Sequence, residues 1–134
     1  MTTNTAFQVA ERKIAEAQKK GITTLDLSGR GDFNEKPGGL NEKPDQLTEL
    51  PESLSQLSQL QKLSLSYNEL TTLSEWIGQL RGLKNLDLSC NQPRELPESL
   101  GQLSQLTDLD LSWNNIRKLP ESTSKLVHEG RKRG

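Results

Sequence analysis

Residues 83–105 read Leu83-Lys84-Asn85-Leu86-Asp87-Leu88-Ser89-Cys90-Asn91-Gln92-Pro93-Arg94-Glu95-Leu96-Pro97-Glu98-Ser99-Leu100-Gly101-Gln102-Leu103-Ser104-Gln105. The opening frame, Leu83-x-x-Leu86-x-Leu88-x-x-Asn91, recurs 23 residues earlier as Leu60-x-x-Leu63-x-Leu65-x-x-Asn68 and 23 residues later as Leu106-x-x-Leu109-x-Leu111-x-x-Asn114. The period holds outside the frame as well. Leu50, Leu73, Leu96 and Leu119 keep it, as do Leu57, Leu80, Leu103 and Leu126. Pro-Glu-Ser follows three of those leucines, at Pro51, Pro97 and Pro120. A fixed unit of this length cannot bury its apolar residues alone, so neighbouring copies must stack. The reading is an α/β solenoid, a right-handed superhelix. It has a parallel concave β-sheet, short helical or 3-10 convex segments and an N-terminal capping helix.

Working outward, residues 5–20 read as that helix. Thr5-x-x-Gln8 has capping-box spacing, and Phe7, Ala10, Ile14 and Ala17 share a face at helical period. Gly21 is the stop. Ile22-x-x-Leu25-x-Leu27 opens repeat 1, with Arg30 where the other copies carry Asn. The frame then breaks and resumes at Leu47. Ile22 and Leu60 lie 38 residues apart, and 38 minus 23 leaves 15, assigned to an insertion at 32–46. That segment repeats Asn-Glu-Lys-Pro at Asn34 and Asn41 around Gly38 and Gly39, and reads as a polar loop. The single domain, 1–134, therefore divides into the helix, repeat 1 (22–59), repeat 2 (60–82), repeat 3 (83–105), repeat 4 (106–127) and a basic tail (128–134). Strands are expected near 62–66, 85–89 and 108–112. Convex segments are expected to start at Pro51, Ser74, Pro97 and Pro120, with proline at the first helical position. No amphipathic segment follows Val127, so Leu109, Leu111, Leu119 and Leu126 are expected to stay partly exposed unless the chain continues or packs on another molecule.

Composition fits a stacked column rather than a central core: hydrophobic residues are 31% and aromatics 4%. A net charge of -1 provides no field toward nucleic acid or anionic membrane. No apolar run is long enough to span a bilayer, and no secretory signal is visible. Cys90 is the one cysteine, which excludes an intrachain disulfide and points to a reduced, cytoplasmic protein.

Chemistry-bearing patterns are sparse. His128, the one histidine, falls in the tail, so no Ser-His-Asp or Cys-His pair and no histidine-rich metal site can form around it. Asp32-x-Asn34-x-Lys36 begins like a calcium loop, but Lys36, Pro37 and the lack of a terminal bidentate Glu argue against one. No phosphate-binding glycine loop occurs. Catalytic residues, metal and cofactors are all expected to be absent. Arg131-Lys132-Arg133 suits weak electrostatic contact or a solvated end.

Strand alternation then assigns the faces. Leucines point inward, and the residues between them point out onto the concave sheet. The outward set chosen for partner binding is Asp26, Lys62, Ser64, Tyr67, Asn85, Asp87, Asp108, Asp110 and Trp113. Ser28, Ser66, Ser89 and Ser112 form a neighbouring outward column. Two readings stand: an acidic, hydroxyl-rich site edged by aromatics for a basic or polar peptide, or repeat filler whose aspartates are merely solvated. Trp76 stands where other repeats carry Ser, as a second contact or as packing against the next coil. Asn68, Asn91 and Asn114 sit inside the turns, where their amides can satisfy backbone groups as a stacked ladder.

The 23-residue unit with Leu-Pro-Glu-x-Leu convex segments resembles the bacterial and intracellular class of leucine-rich repeats. The entry, Ala10-Glu11-Arg12-Lys13-Ile14-Ala15-Glu16-Ala17 followed by Leu25-Asp26-Leu27-Ser28, is similar to the N-terminal region of bacterial members, among them the repeat regions of Roco-type GTPases. That resemblance implies a protein-interaction or regulatory module; the GTPase part has no counterpart here. Pro93, where a Leu is expected, and Thr123, where an apolar residue is expected, depart from the pattern. The expected partner is a protein or peptide, not nucleic acid or membrane. The rival expectation is a self-associating structural module, or a regulatory fragment, that packs through its C-terminal coil as a homodimer.

Overall fold

The structure is a computed structural model, and it describes residues 5–29, 46–93 and 95–114. Arg30, nearly all of the 32–46 segment, the convex half of repeat 4 with Leu119 and Leu126, and the 128–134 tail lie outside the described residues.

Helix α1 (Thr5–Lys20) forms because Ala10, Ile14 and Ala17 recur on one side. All three are buried in the core, and Ala6 and Phe7 pack half-buried against it. The helix ends as the sequence expects. Gly21 adopts a left-handed φ of 66°, and the Ile22 N–H donates back to the Ala17 carbonyl at 3.0 Å. These are the marks of a Schellman stop. Glu16 and Lys20 pair at 3.3 Å, both exposed. The Thr5 side chain, on which the capping box depends, lies outside the described residues.

Four strands follow: β1 (Thr24–Asp26), β2 (Lys62–Ser64), β3 (Asn85–Asp87) and β4 (Asp108–Asp110). They form one parallel sheet in chain order. Leu25, Leu63, Leu86 and Leu109 lie side by side in register. Each strand is three residues long, shorter than the expected five. The hydrogen bonding continues past the strand ends, however: Leu65 N–H donates to Asp87 O at 2.8 Å and Tyr67 N–H to Ser89 O at 3.1 Å. Inter-coil pairing therefore runs on to Tyr67, where the backbone bends.

Opposite the sheet, 3-10 turns run over Glu52–Gln56, Glu75–Gln79 and Glu98–Gln102. Proline stands one position earlier than expected. Pro51 and Pro97 are extended, with ψ of 135° and 151°, and precede the first helical residue. Their carbonyls accept from Leu54 and Leu100 at 3.1 Å, so the proline supplies the acceptor of the first i to i+3 bond and needs no N–H for it. Trp76 is half-buried and packs on the core, the packing alternative rather than an exposed contact. Between sheet and turns the leucines stack coil by coil, and Leu54, Ile77 and Leu100 are fully buried together with Leu57, Leu80 and Leu103.

Candidate functional site

Parallel register converts the sequence period into columns. Thr24, Lys62, Asn85 and Asp108 lie side by side, as do Asp26, Ser64, Asp87 and Asp110. Adjacent members are therefore about 4.8 Å apart across the sheet. Both columns line a hollow of about 380 Å³ on the sheet face. Seven of the nine residues assigned to the partner surface line it: Asp26, Lys62, Ser64, Asn85, Asp87, Asp108 and Asp110. Tyr67 and Trp113 are not in its lining. They stand beyond the strand ends, exposed, Trp113 at 74%. The hollow holds four carboxylates and one ammonium, so it is far more acidic than a chain of net charge -1.

The aspartates do more than face solvent. Asp87 Oδ1 accepts from the Ser89 N–H at 2.9 Å and the Ser89 hydroxyl at 2.6 Å. Asp110 Oδ1 accepts from the Ser112 N–H at 3.0 Å and the Ser112 hydroxyl at 2.5 Å. Asp26 Oδ1 accepts from the Ser28 N–H at 2.9 Å. Each Asp-x-Ser thus closes an Asx-type turn that satisfies the N–H where the strand ends. One carboxylate oxygen is structural, and the charge remains on the face. Repeat 2 lacks the carboxylate, and Ser64 and Ser66 hydroxyls approach at 3.4 Å instead. The serine column is not the open hydroxyl stripe the alternation suggests: Ser66 is buried, and Ser28, Ser89 and Ser112 are half-buried. These side chains fold back onto the strand ends because their hydrogen-bond partners are there.

Partial burial pushes the Asp26 carboxyl up, but the Ser28 hydroxyl and backbone N–H and the Lys13 charge more than offset this, leaving it below the ordinary Asp value. Lys13 also donates to the Asp26 carbonyl at 3.1 Å, so α1 contributes a cation at the β1 edge of the face. No residue-spacing rule connects positions 13 and 26, and sequence reasoning passed over this contact. Asn85 donates to Asp108 Oδ2 at 2.7 Å and aligns that carboxylate.

The frame asparagines lie on the inner side of the turns, with Asn68 and Asn91 buried and Asn114 half-buried. Each amide nitrogen bridges two coils. Asn68 Nδ2 donates to Leu27 O and Leu65 O at 3.0 Å, Asn91 Nδ2 to Leu65 O and Leu88 O at 2.8 and 3.1 Å, and Asn114 Nδ2 to Leu88 O and Leu111 O at 3.0 and 3.1 Å. Each amide oxygen accepts a backbone N–H of the preceding turn: Leu47 to Asn68 and Leu70 to Asn91, at 2.8 and 3.1 Å. The next donor in that series is residue 93, a proline without an N–H. Asn114 Oδ1 takes the Asn91 N–H instead, at 2.7 Å. The leucine that gives way to Pro93 in the repeat thus shifts one ladder bond by two residues.

Tyr67, Cys90 and Trp113, at the eighth frame position, all adopt left-handed φ of 57–60°. Bulky side chains seldom occupy this region, which costs on the order of 1–2 kcal/mol per residue. Gly29 occupies the same frame position without the left-handed φ. A methyl there would meet Tyr67 O at 2.1 Å and Asn68 Oδ1 at 2.7 Å, so the first coil needs glycine for a different reason, close approach to the second. Among the described residues no cluster of His, Cys, Asp and Glu is able to hold a metal ion, and no helix is long and apolar enough to cross a membrane.

Residues 45–92 and 74–116, together more than half of the chain, match the family described as Leucine rich repeat. A solved leucine-rich-repeat protein of Leptospira interrogans is similar, with a TM-score of 0.64 and 35% identity over 83% of this chain. The chain spans 31% of that protein's length. No curated protein matches the chain at a significant level. The stacked leucine column, the parallel sheet and the family match lead to one conclusion: this chain belongs to the leucine-rich-repeat family.

Proposed function

We propose that the chain is a non-catalytic protein-recognition module that binds a polypeptide partner across the hollow of its sheet. The observation that carries this reading is the register. It sets Asp26, Asp87, Asp108, Asp110, Lys62, Ser64 and Asn85 on one rigid surface. Side chains already ordered by strands and Asx turns lose little conformational entropy on binding. The excess of carboxylates favours a basic or polar segment and opposes the phosphates of nucleic acid. In the same reading α1 serves as the solenoid's N-terminal cap, the coils wind right-handedly, and the 32–46 segment is an insertion into repeat 1. The 38-residue offset between paired Leu25 and Leu63, against 23 for the other pairs, supports the insertion. A reduced, cytoplasmic location fits the single cysteine.

The test is a displayed random-peptide selection against the full chain. Recovered peptides are then measured against the Asp87→Lys, Asp110→Lys double variant. Loss of binding in that variant is expected. Peptides that bind both proteins equally, across independent selections, would place recognition elsewhere.

A further inference from the structure

Three residues at the turn edge of the sheet form a pattern that the hollow does not account for. Tyr67, Cys90 and Trp113 occupy one frame position on consecutive coils, all with left-handed backbone. The ladder keeps them in step: the Tyr67 N–H donates to Ser89 O at 3.1 Å and the Cys90 N–H to Ser112 O at 3.0 Å. Neighbouring coils are about 4.8 Å apart, which puts the two aromatic residues about 10 Å from each other with the small Cys90 between them. Tyr67 and Trp113 are exposed and Cys90 is half-buried, the profile of two walls and a floor. The backbone spacing leaves room for a flat cationic group between the two aromatic side chains, whose faces attract cations.

The charge beside this slot names the occupant. Ser89, next to Cys90, is hydrogen-bonded to Asp87, and Ser112, next to Trp113, is hydrogen-bonded to Asp110. In both aspartates the bonds go to Oδ1. The Oδ2 of each carboxylate takes no part in these bonds. A planar guanidinium stacks between two aromatic faces and offers a fork of N–H donors to carboxylates, whereas an ammonium is a strongly hydrated point charge. We propose that Tyr67, Cys90 and Trp113 form a slot for an arginine side chain of the partner polypeptide, with Asp87 and Asp110 receiving its charge. This rests on the sheet-face reading above and deepens it.

The test compares two fluorescein-labelled octapeptides, Ser alternating with Arg and Ser alternating with Lys, by fluorescence anisotropy against the full chain at low salt. The Arg peptide is expected to bind about fivefold tighter than the Lys peptide, because a planar, weakly hydrated guanidinium stacks on the rings where an ammonium keeps its water. Trp113→Gly, which suits the left-handed backbone, and Cys90→Tyr, which fills the slot with a residue already tolerated at Tyr67, should both bring that ratio to about one with circular dichroism unchanged. Equal affinity for the two peptides in the parent chain overturns the slot, as does a ratio that survives both variants. If the peptides bind equally and Asp87→Asn with Asp110→Asn weakens both, the slot fails and the sheet-face reading stands. If neither peptide binds, or binding ignores those aspartates, both fail for cationic partners.

Discussion

Deleting the Asn91 side chain is the sharpest test of what holds the coils together. Asn91→Ala removes the donor to Leu65 O, Leu88 O and Ser89 O, and the acceptor for Leu70 N–H. The carbonyls are insured. Leu65 O keeps the Asn68 amide at 3.0 Å, Leu88 O keeps the Asn114 amide at 3.0 Å, and Ser89 O keeps the Tyr67 N–H. The Leu70 N–H has no such second partner among the described bonds. Stranding one buried N–H costs about 1–3 kcal/mol, and each lost but compensated bond about 0.5 kcal/mol or slightly more. The expected total is about 2.5–4.5 kcal/mol, a large share of the roughly 5–15 kcal/mol that holds a typical domain folded. Urea unfolding followed by circular dichroism reads this as a lower midpoint at unchanged slope. Asn85→Ala is the control, since that half-buried amide makes one bond, to Asp108, on the open face. It should cost under about 1 kcal/mol. An Asn91→Ala loss below about 1 kcal/mol, or one no larger than that of Asn85→Ala, would refute the idea that frame amides carry the coil-to-coil connection.

Three further outcomes follow from particular contacts. Gly29→Ala should lose about 2 kcal/mol or more in the same urea assay, because its new methyl falls 2.1 Å from the Tyr67 carbonyl oxygen and backbone must move to admit it. Trp113→Gly should leave stability unchanged or raise it by up to about 1 kcal/mol, since left-handed backbone costs tryptophan but not glycine; a clear loss in thermal unfolding would show that the ring is a packing element. Asp26 is held below its ordinary pKa in the folded chain, so it stabilises the fold above the unfolded value and loses that contribution as pH falls through the folded one. The urea midpoint of Asp26→Asn should therefore trail the parent at pH 7, and the gap should narrow progressively as pH falls below about 4; a gap independent of pH would contradict the assignment.

Much of the candidate surface was legible because a strand has a side-chain period of two. Once the leucines face inward, Asp87 and Asp110 must face out, and no contact list is needed to say so. The serines two residues on were misread for the same reason. Period alone cannot report that Ser66 is buried or that the Ser89 and Ser112 hydroxyls fold onto neighbouring carboxylates. The strand ends suffered likewise, since the apolar pattern runs on through Leu65 and Leu88 beyond the three-residue strands.

The 23-residue leucine pattern by itself determined the stacking, the inward column and the residues offered on the sheet face. Repetition makes every copy bury its leucines against the next, and that constraint is written in spacing alone. Tertiary structure decided the rest. It chose which polar atoms meet between coils, sent the Asn114 oxygen to the Asn91 N–H in place of proline 93, and brought Lys13 to Asp26. It also held Tyr67, Cys90 and Trp113 in left-handed turns on adjacent coils. These are choices between partners a few ångströms apart, set by packing across coils, and a linear period does not contain them.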